Sequence, residues 1–255
     1  MQSIVHPQVK PVLNQLTAGL KTILGDKLIG IYLYGSLVTG DFDLSVSDLD
    51  LVAVITEELD EFSFAALHQL HQRVVDAWPD WDNRLELAYL SQHGLKTFRT
   101  QKSRIGIISP GEPFHQIDAG RDWLISWYSL RETGVSLYGP PIKTLADPIS
   151  SADYIQAVQE HIQMYRHAAQ QVASKAYLSY IVLTTVRGIY TVRRGHPTSK
   201  VKAAAWAKAA YPQWADLIDN ALKWRSSPQA DALAPDDIRP QMQAYIHDML
   251  KQLPD

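Results

Sequence analysis

The chain has 255 residues, 46% of them hydrophobic, with 24 Lys and Arg against 27 Asp and Glu and a formal net charge of -3. Such a length and apolar content can bury one large core or two modest ones. The weak acidity argues against a broad nucleic-acid-binding face, which disfavours template-directed polymerase or tRNA-processing activity. The absence of cysteine excludes disulfides, thiolate zinc sites and thiol nucleophiles, so any metal is expected on carboxylates.

The opening residues Met1-Gln2-Ser3-Ile4-Val5-His6-Pro7 lack a charged run followed by an apolar one, and no stretch has the apolar length of a membrane span. The expectation is a cytoplasmic protein with no membrane partner. Val9, Val12, Leu13, Leu16, Leu20, Ile23 and Leu24 recur at helical spacing, predicting a helix over about residues 8–25 that ends at Gly25-Asp26. Residues 28–34 read as a buried strand. Gly35-Ser36 turns the chain at its end, where bare backbone N–H groups and a hydroxyl suit a polyphosphate.

Next come Ser47-Asp48-Leu49-Asp50 and the apolar run 51–55. Side chains alternate along a strand, so Asp48 and Asp50 share one face while Leu49 and Leu51 enter the core. Two like charges so placed repel unless cations neutralise them. Mg2+ binds through one or two carboxylates plus substrate phosphates, which makes this pair a candidate metal site. Taken alone, the tetrapeptide reads more readily as an aspartate-rich turn ahead of a core strand.

Residues 57–78 predict a second helix with Leu59, Phe62, Leu67, Leu70 and Val74 on its apolar side, broken by Pro79-Asp80-Trp81-Asp82-Asn83. Residues 84–90 alternate as a strand, with Glu86 on the face opposite Leu85 and Leu87. An acid inside such a strand asks for a reason, unless it is simply solvent-facing. Residues 97–120 predict loops and short strands. Residues 122–130 predict a helix whose Trp123 and Trp127 share one side, a pairing that fits a core better than a ligand platform. Gly139-Pro140-Pro141 and Asp147-Pro148 place a domain boundary near residue 150.

Beyond it, helices are expected over 151–172, 175–194, 199–210, 213–225 and 236–252, with breaks at Gly195-His196-Pro197 and Ser226-Ser227-Pro228. Arg187 is the only ionised side chain in the apolar run 180–190. Its forked guanidinium suits phosphate oxygens, or a structural ion pair. Lys200 falls near a predicted helix start, a reasonable phosphate seat if it is not a plain surface lysine.

Together the Gly35-Ser36 turn, Ser47-Asp48-Leu49-Asp50 and the flanking apolar strands resemble the signature of the DNA-polymerase-beta-like nucleotidyltransferases. The run 181–190 with Gly195, Lys200, Ala203-Ala204-Ala205-Trp206-Ala207 and Pro212 resembles, more narrowly, the helical domain of the aminoglycoside 3''(9) adenylyltransferases. The resemblance implies an α+β enzyme. Residues 1–150 would form a nucleotidyltransferase domain with a mixed sheet and flanking helices, and 151–255 an α-helical bundle closing over ATP and the acceptor.

It also implies transfer of AMP from ATP to a hydroxyl of a streptomycin- or spectinomycin-type acceptor, with pyrophosphate released. Asp48 and Asp50 would bind Mg2+, as two ions, with Glu86 beside them as general base. Gly35, Ser36, Ser47, Arg187 and Lys200 would hold the triphosphate. Trp224 would stand in for a family tyrosine near the nucleotide. Streptomycin-modifying members carry a tryptophan and acids ahead of the arginine, whereas residues 161–186 here contain no Asp, Glu or Trp, which favours a spectinomycin-like acceptor. The other readings are adenylylation of an unrelated metabolite, AMPylation of a partner protein in the antitoxin manner, and a silent nucleotide-binding module. No heptad seam supports a dimer, so a monomer is expected.

Overall fold

The computed structural model describes residues 6–166, 174–226, 232 and 238–254, and the chain divides into two compact units, Met1–Pro148 and Ile149–Asp255. In the first, helix α1 (Lys10–Leu24) leads into strand β1 (Leu28–Leu33), and a one-turn helix α2 (Ser36–Thr39) precedes β2 (Leu49–Ile55). Helix α3 (Glu61–Ala77), β3 (Leu85–Ser91), α4 (Gln92–Thr97), β4 (Ser103–Ser109), β5 (Glu112–Ala119), α5 (Leu124–Thr133) and β6 (Val135–Tyr138) complete it. The six strands form one mixed sheet in the order β5-β4-β3-β2-β1-β6. Only the β2–β3 pair is parallel.

One face of the sheet, carrying Ile31, Leu33, Leu49, Leu51, Leu85, Leu87 and Tyr89, packs with the apolar sides of α1 and α3. Period-two alternation then sends Asp50 and Glu86 to the opposite face. Helix α3 begins four residues later than expected, at Glu61, because the Asp60 side chain accepts the Ser63 N–H and caps it. Phe62 does not belong to the apolar side: it is 89% exposed. The core stripe runs through Leu67, Leu70, His71 and Val74, and Phe62 lies five residues before Leu67, well round the helix at 3.6 residues per turn.

The stretch expected as loops and short strands is a hairpin of two full strands, β4 and β5, preceded by α4. The edge strand β6 was not foreseen, its four residues being too few for a periodic signal. Trp127 is buried in the core with Trp123 stacked on it at 5.3 Å.

The second unit holds α6 (Ser151–Gln163), α7 (Lys175–Arg194), α8 (Lys200–Ala210), α9 (Ala215–Arg225) and α10 (Ile238–Leu250). Helix α7 is enclosed by the other four. That explains its lack of a clear polar face, with Leu178, Ile181, Val182, Leu183, Val186 and Ile189 all buried. Side-chain bonds tie it to its neighbours: Ser179 Oγ donates to the Ala221 carbonyl at 2.7 Å and Tyr245 Oη to that of Val182 at 2.9 Å. Ser150, Ser174 and Ser199 cap α6, α7 and α8.

Helix α6 ends at Gln163, earlier than expected, and the remainder of that expected helix from 167, like the Ser227-Pro228 break and the start of the last helix, lies outside the described residues. Among the described residues no helix is long and apolar enough to cross a membrane.

His71 shows how the core of the first unit responds to pH. Its Nε2 is 2.8 Å from the Tyr89 hydroxyl, and its ring meets Phe114 edge-on. Burial, with a smaller push from His68, lowers its pKa from 6.5 to about 4. Between those values the unfolded chain binds the proton and the folded one does not, so stability rises with pH across this window and is lost as pH falls through it. The full displacement is worth on the order of 3 kcal/mol. Denaturation of the wild type and of His71→Gln at pH 7.0, 5.5 and 4.5 should show this slope in the wild type and a shallower one in the variant; equal slopes would refute it.

Candidate active site

The parallel ladder between β2 and β3 places Asp50 directly beside Glu86. Tyr34, at the end of β1, ties them together. Its N–H donates to the Asp50 carbonyl at 3.0 Å and its hydroxyl donates to Glu86 Oε1 at 3.2 Å. Burial first, then the charges of Glu86 and Asp50, push the Tyr34 pKa well above the ordinary tyrosine range, so the phenol stays protonated and remains a donor; the Ser126 hydroxyl of α5 bonds it as well.

Gly35 follows with φ +70° and ψ -151°, a conformation essentially restricted to glycine. A Cβ there would overlap Asp50 Oδ2. The turn therefore lays bare backbone against the carboxylate, and Ser36 opens α2 beside it.

Asp48 sits on the loop immediately before β2, and that loop is held by Arg84, a residue sequence reasoning did not single out. The Arg84 guanidinium stacks over Trp81 at 4.6 Å and donates to three backbone carbonyls, those of Leu44 at 2.8 Å, Asp80 at 3.2 Å and Ser47. Ser47 is 2% exposed, and its Oγ accepts the Asp43 N–H at 3.0 Å. Its hydroxyl therefore serves the loop, and Ser36 is the more accessible of the two expected serines. The only sequence signal for Arg84 was its place beside Trp81, at the mouth of the strand that carries Glu86.

Among the described residues no three Asp, Glu or His side chains are already gathered as a metal-holding group. The donor set nevertheless fits Mg2+, which takes hard oxygens from one or two carboxylates and completes its shell with water and phosphate. The cradle over Asp50 that any side chain at position 35 would fill supports the same fit.

A separate cavity of 380 Å³ between α3 and the β4–β5 hairpin is lined by His68, His71, Trp81, Leu85, Glu112 and Phe114 among others. Leu85 and Glu86 point to opposite sides of β3, so this cavity lies across the sheet from the carboxylates.

In the second unit, α6 and α7 approach closely at Gly188, where a Cβ would stand 2.6 Å from Ile162 Cγ2. Arg187 is half-buried there, and among the described residues no carboxylate pairs with it. Its charge instead reaches His161 and Tyr165. Lys200 is the first residue of α8, and its ammonium lies 5.5 Å over the ring of Tyr180, which meets Tyr165 edge-on at 6.1 Å. Arg187 and Lys200 thus flank one aromatic cluster. Trp224 is elsewhere, half-buried against the helical core near the end of α9.

A family model for the aminoglycoside adenylyltransferase C-terminal domain matches residues 144–252. The chain is similar to an aminoglycoside (3'') (9) adenylyltransferase of Escherichia coli, 26% identical over 263 residues and covering 97% of this chain and 95% of that protein. It is also similar to a spectinomycin 9-adenylyltransferase of Staphylococcus aureus, 22% identical over 233 residues, with 88% and 87% covered. Among solved structures it shares its fold with the spectinomycin adenyltransferase AAD(9) from Enterococcus faecialis, crystallised with ATP and spectinomycin, at a TM-score of 0.74 and 20% identity over 95% of this chain and 98% of the other.

The contact between Gly35 and Asp50 is open to direct measurement. Gly35→Ala should lower the unfolding free energy by about 2–4 kcal/mol through backbone strain and overlap. In an Asp50→Ala background the overlap is gone, so a double-mutant cycle on denaturant unfolding should give a coupling of about 1 kcal/mol or more, and additive effects would place the two residues out of contact.

Proposed function

We propose that this chain, whose residues 144–252 match the aminoglycoside adenylyltransferase C-terminal domain, moves AMP from ATP to a hydroxyl of a small aminocyclitol-type acceptor, spectinomycin-like in preference to streptomycin, with release of pyrophosphate. The observation that carries this reading is the side-by-side placement of Asp50 and Glu86, with Tyr34 bonded to both and the Gly35 backbone laid on Asp50.

In the proposed reaction the acceptor oxygen attacks the α-phosphorus. Its proton passes to Glu86, the new oxygen–phosphorus bond forms, and the bond from that phosphorus to the bridging oxygen of pyrophosphate breaks. The Tyr34 hydroxyl on Oε1 fixes the rotation of the Glu86 carboxylate, as a general base requires. Asp48 and Asp50, with Glu86 alongside, would hold Mg2+, which would supply neutralisation of charge on the attacked phosphoryl and departing oxygens. Arg84 keeps the Asp48 loop in register with β2.

Gly35 and Ser36 would meet the phosphates with backbone N–H groups and a hydroxyl. Arg187, which pairs with no carboxylate among the described residues, and Lys200 would bind the remaining phosphate oxygens. Trp224 would offer a ring to the base.

Acceptor choice follows from charge. Streptomycin bears two guanidinium groups, and buried cations need carboxylate partners. Residues 161–186 offer none, and present instead Tyr177 and Tyr180, each 42% exposed. Neutral hydroxyl-bearing rings suit a compact hydroxylated acceptor with modest charge.

Mg2+-dependent pyrophosphate release from ATP should therefore appear with spectinomycin and stay at background with streptomycin. Glu86→Gln should lower kcat by about 100- to 10,000-fold while ATP still binds. Turnover with streptomycin would overturn the acceptor argument, and a Glu86→Gln variant of undiminished rate would remove that residue from the mechanism.

A further inference from the structure

The mechanism above makes no use of the polar groups around Arg187. Close approach of α6 to α7 at Ile162 and Gly188 sets His161 beside Arg187. The His161 Nε2 is 2.9 Å from the Tyr165 hydroxyl, with the two rings edge-on at 5.3 Å. Tyr165 is in turn hydrogen-bonded to Tyr180, whose ring lies under the Lys200 ammonium. A line of three polar side chains, His161, Tyr165 and Tyr180, therefore runs from one cation to the other. We infer that His161 and Tyr165 are positioning residues for an anion seat at Arg187, and that an anion settling there is accompanied by proton uptake at His161. The inference rests on reading Arg187 and Lys200 as phosphate-binding residues.

Among the described residues the charged and titratable groups around His161 are Glu160 on its own helix, which accepts a bond from Gln156, Arg166 just beyond Tyr165, Tyr177, Tyr180 and Arg187 from α7, and Lys200 from α8. Burial pushes the Tyr165 pKa up, away from neutrality. Arginine keeps its proton throughout. Of these described groups His161 is the one suited to change charge in the physiological range.

Burial first, and then the charge of Arg187, hold its pKa below the ordinary histidine value. A phosphate on Arg187 cancels the second contribution, so the bound protein holds the proton more tightly than the unliganded one. The linkage sign follows: the anion binds more tightly as pH falls through the window between the two His161 pKa values, and the effect vanishes above the higher. Protonation also fixes the direction of the local bond. A neutral imidazole carrying its proton on Nδ1 accepts the Tyr165 hydroxyl proton at Nε2, whereas an imidazolium donates there and turns that proton toward Tyr180.

The test is calorimetric titration of the full chain with Mg2+ and α,β-methylene-ATP, whose α,β link resists cleavage, at pH 6 in buffers of different ionisation enthalpy. A rise in the His161 pKa on binding gives uptake of a fraction of a proton and an affinity that increases as pH falls through the window. His161→Gln should lose that share of the uptake, and proton exchange by the nucleotide itself cancels in the comparison. Should His161→Gln fail to fold, proton NMR titration of the wild-type histidines with and without the same ligand reads the pKa directly, with Tyr165→Phe identifying the affected resonance.

Equal uptake by wild type and His161→Gln, or no histidine whose pKa rises on binding, would overturn the inference. Arg187→Gln separates the two levels. If it leaves affinity unchanged, the phosphate reading of Arg187 fails and the proton coupling falls with it. If it weakens binding severalfold while uptake is the same with and without His161, the coupling alone is wrong.

Discussion

Everything in the first unit that bears on chemistry depends on the register of β2 against β3. In a parallel ladder one step of slippage would carry Glu86 from the face it shares with Asp50 to the face packed on α1 and α3. There a carboxylate would meet Leu33, Leu51 and Leu87, at a desolvation cost no ion pair nearby would offset. The buried odd-numbered positions of both strands thus fix the register, and the placement of the two acids is a by-product of packing on the opposite side of the sheet. Tyr34 and Gly35 add detail to this frame, one through its hydroxyl and the other through having no side chain.

The second unit is organised differently. Its central helix is enclosed on nearly all sides, so polar groups on α7 must find partners among the surrounding helices. Ser179 and the Val182 carbonyl do so through the Ala221 carbonyl and the Tyr245 hydroxyl. Arg187 sits where α7 comes nearest α6, beside His161 and Tyr165, with no carboxylate paired to it among the described residues. A cation not paired to a fixed counter-charge keeps more of its field for an arriving anion. Lys200, at the start of a serine-capped helix, adds to the same positive region.

Much of this was legible in the sequence because the signals were local and periodic. The strands carrying Asp50 and Glu86, the glycine turn and the five C-terminal helices all announce themselves through alternation, 3.6-residue spacing or a breaking residue. Less legible were features that exist only through distant pairing. Nothing in the neighbourhood of Arg84 says that its guanidinium will find the Leu44 and Ser47 carbonyls some forty residues earlier. The hydrogen bond from Tyr34 to Glu86 spans 52 positions, and the edge strand β6 gains its identity from β1 alone. Phe62 misled for the opposite reason: hydrophobic character alone suggested burial, while its angular position on α3 put it in solvent.

The way Arg84 holds its loop bears on how this region tolerates sequence change. Two of its three bonds go to backbone carbonyls of this loop, which every amino acid supplies, so Arg84 holds the path at Leu44 and Ser47 whatever residues stand there, while Ser45 Oγ on Asp43 and Leu44 against the core add side-chain support. Related chains are thus freer to drift at the backbone-held positions between the glycine turn and the aspartates without moving Asp48, provided an arginine is kept at the strand mouth. Variation in that loop is a poor guide to altered chemistry, and a change at position 84 a good one.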